Sequence, residues 1–326
     1  MPKVSVVCGF YNRSEVLERT IKSILSQTYD DFEFIVFDDA STDDTAEKLK
    51  NLARQYNDNR LKIVLYRENQ GFVNGLRAAI AATTGEYIAI QGSGDESLPH
   101  RLERQVAVLN SDGSIGVVGG WYSNIQEALG IERLRTPDAS TLDYAGLLKT
   151  NMFSHGEVMI RRSVYEAVGG YRSEFKYAQD LDLWIRISQI ATFATVPELI
   201  YRRYVQFDGV SYDPSKLILQ CSYSVTARLI SKMNLDEQSR VLAMLRESGP
   251  LAITPIANKI VQRKIKKGVF RLLVFGKPTS ASRLAKSGVS NPLTRMALKL
   301  LIKVYNWRLT SLFVPLLNRS LGITVR

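Results

Sequence analysis

An α/β fold with a mostly parallel sheet flanked by helices is the architecture this 326-residue sequence predicts, and three observations carry it. Short apolar runs of strand length alternate through the first 120 residues with stretches whose apolar residues recur at helical spacing, a repeated βαβ pattern. Turn and helix-start residues separate the runs. The composition, 45% hydrophobic and 23% charged, is that of a chain that folds around a core, and the length suits one substantial domain plus a smaller appendage.

In chain order, Val4 to Phe10 reads as the first strand and Ser14 to Gln27 as a helix with Leu17, Ile21, Ile24 and Leu25 on one face. Phe32 to Asp39 is the second strand. A helix from Thr42 to Tyr56 buries Ala46, Leu49, Leu52 and Ala53, and Leu61 to Tyr66 gives the third strand. Phe72 to Ala82 is helical, and Glu86 to Gln91 is the fourth strand. A Gly-Ser-Gly break follows, then a helix from Pro99, since proline suits a first helical turn. Further on come a strand at Ile115 to Trp121, a helix at Asp143 to Lys149, a strand at Glu157 to Arg161 and a helix around Asp180 to Gln189. After Tyr204 the pattern turns helical, which gives domains at 1–210 and 211–326.

Sheets of this kind bind ligands beyond the carboxyl ends of their strands. Two acidic clusters fall there, Asp38-Asp39 ending the second strand and Asp95-Glu96 after the fourth. The loop after the first strand is Gly9-Phe10-Tyr11-Asn12, not Gly-x-Gly-x-x-Gly, which disfavours a dinucleotide domain, and there is no Walker loop. Two cysteines, Cys8 and Cys221, are too few for a disulfide framework and point to a reducing compartment. The first residues lack the pattern of a secretory leader, and no apolar run approaches the roughly 18 residues of a spanning helix. A cytoplasmic protein, peripheral at most to the inner face of the plasma membrane, is expected.

Several stretches together resemble glycosyltransferase family 2. They are Val4-Ser-Val-Val-Cys-Gly-Phe-Tyr-Asn-Arg13, the run from Ile24 through Asp38-Asp-Ala-Ser-Thr-Asp-Asp-Thr45, Glu68-Asn-Gln-Gly71, Gly85-Glu-Tyr-Ile88 and Leu98-Pro-His-Arg-Leu-Glu-Arg-Gln105. Ser154-His-Gly-Glu-Val-Met-Ile-Arg-Arg162, Gly169-Gly-Tyr171 and Asp180-Leu-Asp-Leu-Trp-Ile-Arg186 complete the set, so the resemblance spans residues 1 to 205. It implies a GT-A, Rossmann-like fold and inverting transfer of a sugar from a nucleoside-diphosphate donor, UDP-sugar favoured, to a glycan, glycolipid or lipid-linked acceptor in cell-surface polysaccharide synthesis.

The resemblance also implies roles. Asp39 and Tyr11, with Asp38 beside them, receive the nucleotide; a carboxylate can accept a base N–H and an aromatic face can cover a ring. The alternative is that both aspartates cap the next helix with Ser41 and Thr42. Asp180 is the general base that takes the acceptor hydroxyl proton, with Asp182 close by, although both are equally suited to a helix N-terminus. His155 is a supporting or acceptor-side residue, or a structural histidine. Arg202 and Arg203 approach the diphosphate or form a solvated pair. In one respect the chain departs from the family: the Asp-x-Asp that holds a divalent cation falls on Gly92 and Gly94, leaving Asp95 with Glu96. Dependence on Mg²⁺ or Mn²⁺ through Asp95 is therefore open, with close backbone approach and arginine charge as the alternative.

The net charge of +11 is unevenly spread. Ser248 to Arg326 holds fifteen Lys or Arg and no acid, leaving residues 1–247 at −4. Within it, Arg295, Lys299 and Lys303 flank a stripe of Met296, Leu300, Val304 and Trp307 in a helix over Leu293 to Phe313. Lys259, Arg263 and Lys267 stand similarly against Val261, Ile265, Val269 and Leu272 over Asn258 to Val274. Such helices suit an anionic membrane surface, or else a helical bundle with a solvated basic face. Two rival functions belong to other classes: a non-catalytic nucleotide-sugar-binding or scaffold protein, for which Gly92 and Gly94 argue, and nucleic-acid binding through the tail, for which no module is recognisable.

Overall fold

The computed structural model describes residues 3–139, 142–205, 212–306 and 324–325. Its contacts divide into two units, residues 1–125 with 134–204 and residues 126–133 with 205–326. The chain begins β1 (Val4–Phe10), α1 (Leu17–Leu25), β2 (Phe32–Asp38), α2 (Thr45–Tyr56), β3 (Leu61–Leu65), α3 (Phe72–Ala81), β4 (Tyr87–Gln91), β5 (Glu96–Ser97), α4 (Arg101–Ser111) and β6 (Ile115–Gln126). It continues through β7 (Ile131–Arg135), α5 (Tyr144–Lys149), β8 (Met159–Arg161), α6 (Arg162–Ala167), α7 (Gln179–Ile187) and β9 (Thr192–Tyr204).

The first unit is built on the expected α/β sheet. β1 lies at its middle, parallel to β2 on one side and β4 on the other, with Val4 opposite Phe32 and Tyr87; β3 extends the parallel set beyond β2. β8 then runs antiparallel to both β4 and β6, and β9 pairs parallel with β6 and antiparallel with β5. β1 and β2 read as near-continuous apolar runs because they are buried on both faces. Leu17, Ile21 and Ile24 of α1 join Val6, Phe34 and Val36 in the core on one side of the sheet.

The helix expected over Ser14 to Gln27 is a 3₁₀ turn at Ser14–Val16 followed by α1. α2 starts at Thr45, three residues later than expected, because the preceding backbone is held in a turn: Asn12 Oδ1 accepts from Thr42 N (2.8 Å) and Asp43 Oδ1 from Thr45 N (3.0 Å). β5, two residues long, and α6, six, are too short for periodicity to register.

The second unit is helical: α8 (Pro214–Ile230), α9 (Leu235–Ser248), α10 (Pro250–Ile253), α11 (Lys259–Val274), α12 (Pro278–Gly288) and α13 (Pro292–Asn306), with β10 (Thr324–Val325) antiparallel to Ile131 and Glu132 of β7. Side chains close the helix starts. Asp213 Oδ1 accepts from Ser215 N and Lys216 N, Asn234 and Glu237 form a capping box, and Asn258 Oδ1 accepts from Ile260 N. The stripe of Val261, Ile265, Val269 and Leu272 on α11 is this unit's core, packed with Leu217, Ile218, Leu284 and Ala285, so the bundle alternative describes it. α13 behaves differently. Leu298 and Ile302 are its buried residues among those described, and the stripe of Met296 and Leu300 beside the basic residues is open, 65% and 64% exposed. Trp307 to Phe313 lie outside the described residues. Among the described residues no helix is long and apolar enough to cross a membrane.

Candidate active site

The carboxyl ends of β1 and β2 are joined loop to loop. Asp39 N donates to Phe10 O (2.9 Å), Asn12 N to Ser41 Oγ (2.9 Å) and Arg13 N to Thr45 Oγ1 (2.9 Å). Asn12 and Ala40 both sit at positive φ, 51° and 58°, a conformation that side-chain-bearing residues adopt at some cost and that surrounding bonds must hold. Tyr11 stands on this junction 46% exposed, a large aromatic face open to a ligand. Asp39 is buried beside it and anchors the loop after β3, with Oδ1 accepting from Gln70 N (2.8 Å) and Oδ2 from Gly71 N (3.0 Å). Each carboxylate oxygen has a second lone pair, so these bonds orient the group without exhausting it. Asp38 is different: its carboxylate accepts both the Ser41 N–H (3.1 Å) and the Ser41 hydroxyl, the turn-capping arrangement rather than that of a ligand contact.

The loop 92–95 is locked from every side. Asp95 is 8% exposed; Oδ2 accepts from Tyr201 OH (2.8 Å) and Oδ1 from Tyr204 N (2.9 Å). Burial raises its pKa, against the pull of the Arg203 charge, the Tyr201 and Tyr204 hydrogen bonds and the Arg19 charge. Beneath, Gly94 N donates to Thr20 Oγ1 (2.8 Å), and Thr20 Oγ1 and Gln91 Nε2 both donate to Asp95 O (3.1 Å each). Above, Arg19 Nε donates to Gly94 O (2.9 Å) and its guanidinium lies 3.5 Å from the Tyr204 ring centroid. Glu96 is paired with Arg202 Nη1 (3.3 Å) and accepts from Tyr204 OH (3.3 Å). Arg202 thus pairs with Glu96, and both oxygens of Asp95 are bonded to groups of β9.

Deeper lies a polar network that the sequence did not reveal. Arg101 is fully buried, donating to Gln91 Oε1 (3.0 Å), Ser97 Oγ (2.8 Å) and Ile90 O (2.8 Å), and burial pushes its pKa down to about 10. Gln105 Nε2 links it to Glu157 O (2.7 Å). Glu157 is buried, one oxygen accepting from Ser154 N (3.2 Å), and burial raises its pKa well above the ordinary carboxylate range.

Asp180 lies in the first turn of α7, just after Ala178, another residue at positive φ (57°). Asp180 is half-buried, and Oδ2 accepts from Asn151 Nδ2 (2.7 Å). His155 Nε2 bonds Tyr171 OH (2.7 Å), its ring meets the Phe72 and Tyr171 rings edge-on, and burial lowers its pKa while the nearby Asp180 charge opposes that. Phe72 follows Gly71, whose N–H holds Asp39, and its ring meets His155, which in turn lies within reach of the Asp180 charge. Asp182, by contrast, is buried in ion pairs with Arg172 (3.2 Å) and Arg186 (2.7 Å); it braces α7 instead of joining the site. Asn151 and Tyr201 went unremarked in the sequence, and Tyr171 stood there without a role, because residues brought together from remote positions leave no spacing signal.

A GT-A type fold, with its site at the carboxyl ends of the central strands, is the class these features define. The family model described as glycosyl transferase family 2 matches residues 5–169, half of the chain, and the chain belongs to that family. The protein EpsE of Bacillus subtilis, which carries a glycosyltransferase designation, is 39% identical over 188 residues, 57% of this chain and 66% of that protein. An uncharacterized glycosyltransferase of Haemophilus influenzae is 30% identical over 211 residues, 62% of this chain and 65% of its own. The matched stretch is thus just under two thirds of either relative. Among solved structures, the Pyrobaculum calidifontis mannosyltransferase PcManGT, in complex with GDP-Man and Mn²⁺, superposes with a TM-score of 0.57 at 19% identity, covering 97% of this chain and 86% of that one. Residues 1–349 of S. aureus TarS in complex with UDP give 0.56 at 17%, covering 93% and 87%; these two likenesses concern the fold.

Proposed function

We propose that the chain transfers a sugar from a nucleoside-diphosphate sugar, UDP-sugar favoured, to an acceptor hydroxyl with inversion. The observation that carries this is the exposed Tyr11 ring beside the Asp39 carboxylate at the carboxyl ends of β1 and β2, together with a second carboxylate, Asp180, half-buried and oriented by Asn151. Tyr11 covers the base and Asp39 accepts its N–H. Asp180, oriented by Asn151, takes the acceptor hydroxyl proton as that oxygen bonds to the anomeric carbon. The bond from that carbon to the diphosphate oxygen breaks in the same step, and the diphosphate leaves with the electron pair. His155 positions α7 and the loop at Asn151 against Phe72. That structural neighbours of the same fold are solved in complex with GDP-Man and UDP supports a nucleotide-sugar donor.

The acceptor is a glycan, glycolipid or lipid-linked glycan in cell-surface polysaccharide synthesis, met at the cytoplasmic membrane face. α13 supports that location: Leu293, Met296 and Leu300 are exposed on the helix that carries Arg295, Lys299 and Lys303, and there is no acid on it. Each cation near an anionic lipid surface contributes about 1 kcal/mol. Flotation with phosphatidylglycerol-containing vesicles checks this, with Arg295, Lys299 and Lys303 all changed to Glu expected to leave the protein in the soluble fraction. The transfer itself is tested by titrating UDP-GlcNAc, other UDP-sugars and GDP-mannose against the purified protein and following donor turnover; a protein that binds none of them sinks the proposal.

A further inference from the structure

Resting on the donor reading above, we infer that this transferase handles the donor diphosphate without a divalent cation, with Arg19 and Arg203 supplying the positive charge at the loop 92–95. Holding a cation there would need side-chain oxygens, and the structure closes each place from which one would come. At position 92 a Cβ would stand 2.3 Å from Asp95 Oδ2 and 2.8 Å from Tyr201 OH, so no side chain fits while those two groups are bonded. Both groups are themselves fixed, Tyr201 fully buried with its hydroxyl accepting from Gly92 N (3.0 Å), and Asp95 held by Tyr204 N. The same hydroxyl excludes a side chain at Gly156, where a Cβ would lie 2.2 Å from it. At position 94 the backbone φ is +86°, a region L side chains rarely adopt. The carboxylates that remain nearby, Asp95 and Glu96, already have partners, and among the described residues no group of three or more His, Cys, Asp or Glu side chains is placed to hold a metal ion.

The ordering that a bound cation would give this loop comes instead from protein groups. Thr20, Gln91, Tyr201, Tyr204 and Arg19 each bond its backbone or its single carboxylate. The two arginines bring charge to the same place. Arg19 is tied to Gly94 O and stacked on Tyr204, and Arg203 shares its strand face with Tyr201, two residues along β9. Its recorded side-chain bond is a long one to Asn124 Oδ1 (3.4 Å). A guanidinium offers several N–H donors in a plane, a geometry suited to phosphate oxygens.

Calorimetric titration separates the ideas. Wild-type protein is titrated with UDP, UDP-GlcNAc, GDP-mannose and uridine, each in EDTA and again in Mn²⁺. The expected result is a Kd for the diphosphate ligands that changes less than about twofold between the two conditions. Tightening of tenfold or more in Mn²⁺ overturns metal independence while leaving the donor reading intact; no binding in either condition removes both. Arg203→Ala and Arg19→Ala are each expected to weaken UDP about tenfold or more while uridine is unchanged, with part of the loss restored in Arg203→Lys. Equal loss for UDP and uridine, or none for either, overturns the arginine assignment. Circular dichroism of each variant identifies one that has merely lost its fold, in which case Arg203→Lys, which keeps the charge, carries the comparison by its ratio of UDP to uridine affinity.

Discussion

The loop 92–95 and the first turn of α7 each carry an aspartate of the first unit, yet the two aspartates are in opposite states. Asp95 is buried, with both oxygens bonded to groups of β9, and its pKa is raised by burial. Asp180 is half-buried, with one oxygen bonded to a neutral amide. A carboxylate closed on both oxygens serves as a structural tie; one held in place by a single orienting bond and open to solvent can receive a proton. Asp182, two residues from Asp180, shows the same contrast within one helix, since Arg172 and Arg186 enclose it.

That comparison is broken or sharpened most strongly at Asp180. Asp180→Asn keeps the size and the bond to Asn151 but removes the base, so transfer is expected to fall by about 10²–10⁴ while donor affinity and melting temperature stay near wild type. Turnover measured with saturating donor checks it; a variant retaining more than a tenth of the rate would take the base role away from Asp180. Asp182→Ala should do the reverse. Removing one member of a buried ion-paired group takes from Arg172 and Arg186 the carboxylate they share, a loss of about 3–5 kcal/mol where such pairs are fully buried and somewhat less here because both arginines reach solvent. Thermal melts and chemical denaturation should show that loss, with donor affinity per folded molecule unchanged.

Tyr201→Phe tests the closed side of the comparison more gently. The hydroxyl donates to Asp95 and accepts from Gly92 N, and its removal leaves a buried carboxylate oxygen and a buried N–H unpaired, costing about 1–3 kcal/mol. The same substitution removes the atom that most crowds position 156. Gly156→Ala is therefore expected to destabilise wild type more than it destabilises Tyr201→Phe, a non-additivity that a double-mutant cycle of melting temperatures measures.

Much of the fold was legible because it rests on local signals. β1, β2 and β4 appear as apolar runs, α1 as a stripe of Leu17, Ile21 and Ile24, and the parallel order follows from their alternation. Helix starts were less legible, since the turn at Thr42 to Asp44 depends on Asn12, some thirty residues away. The site was legible as a set of loops but not as a set of roles. Sequence alone does not distinguish Asp95 from Asp180, because the groups that close Asp95 arrive from β9, over a hundred positions later. On α13 two apolar stripes share the helix, Met296-Leu300-Val304 and Leu298-Ile302, and only packing decides which of them is buried. Glycines 92 and 94 left metal dependence open in the sequence; in the structure a side chain at 92 is excluded by the Tyr201–Asp95 bond and one at 94 is disfavoured by its φ.

The smallest effect concerns Glu157, a third acid of the same region, whose Oε2 has no hydrogen-bond partner among the described residues. Burial raises its pKa well above the usual value, with the Ser154 N–H and the charges of Arg101 and Arg203 opposing the rise and Asp95 adding to it. A raised native pKa means that the folded state holds its proton at pH values where the unfolded chain has released it. Between the unfolded value of about 4.3 and the native value, more protons are therefore bound folded than unfolded, and this group's contribution to stability falls as pH rises. Glu157→Gln keeps an oxygen for the Ser154 N–H and cannot ionise, so it lacks that slope. Asp95, shifted in the same direction, is present in both proteins and cancels from their difference to the extent that its weak coupling to Glu157 allows. Melting temperatures from pH 5 to pH 8 should thus show the Gln variant gaining on wild type with rising pH, by an amount on the order of 1–3 °C. A difference that is flat, or that runs the other way, would mean that Glu157 is ionised in the folded protein and is held by Arg101 and Arg203 as a charged partner.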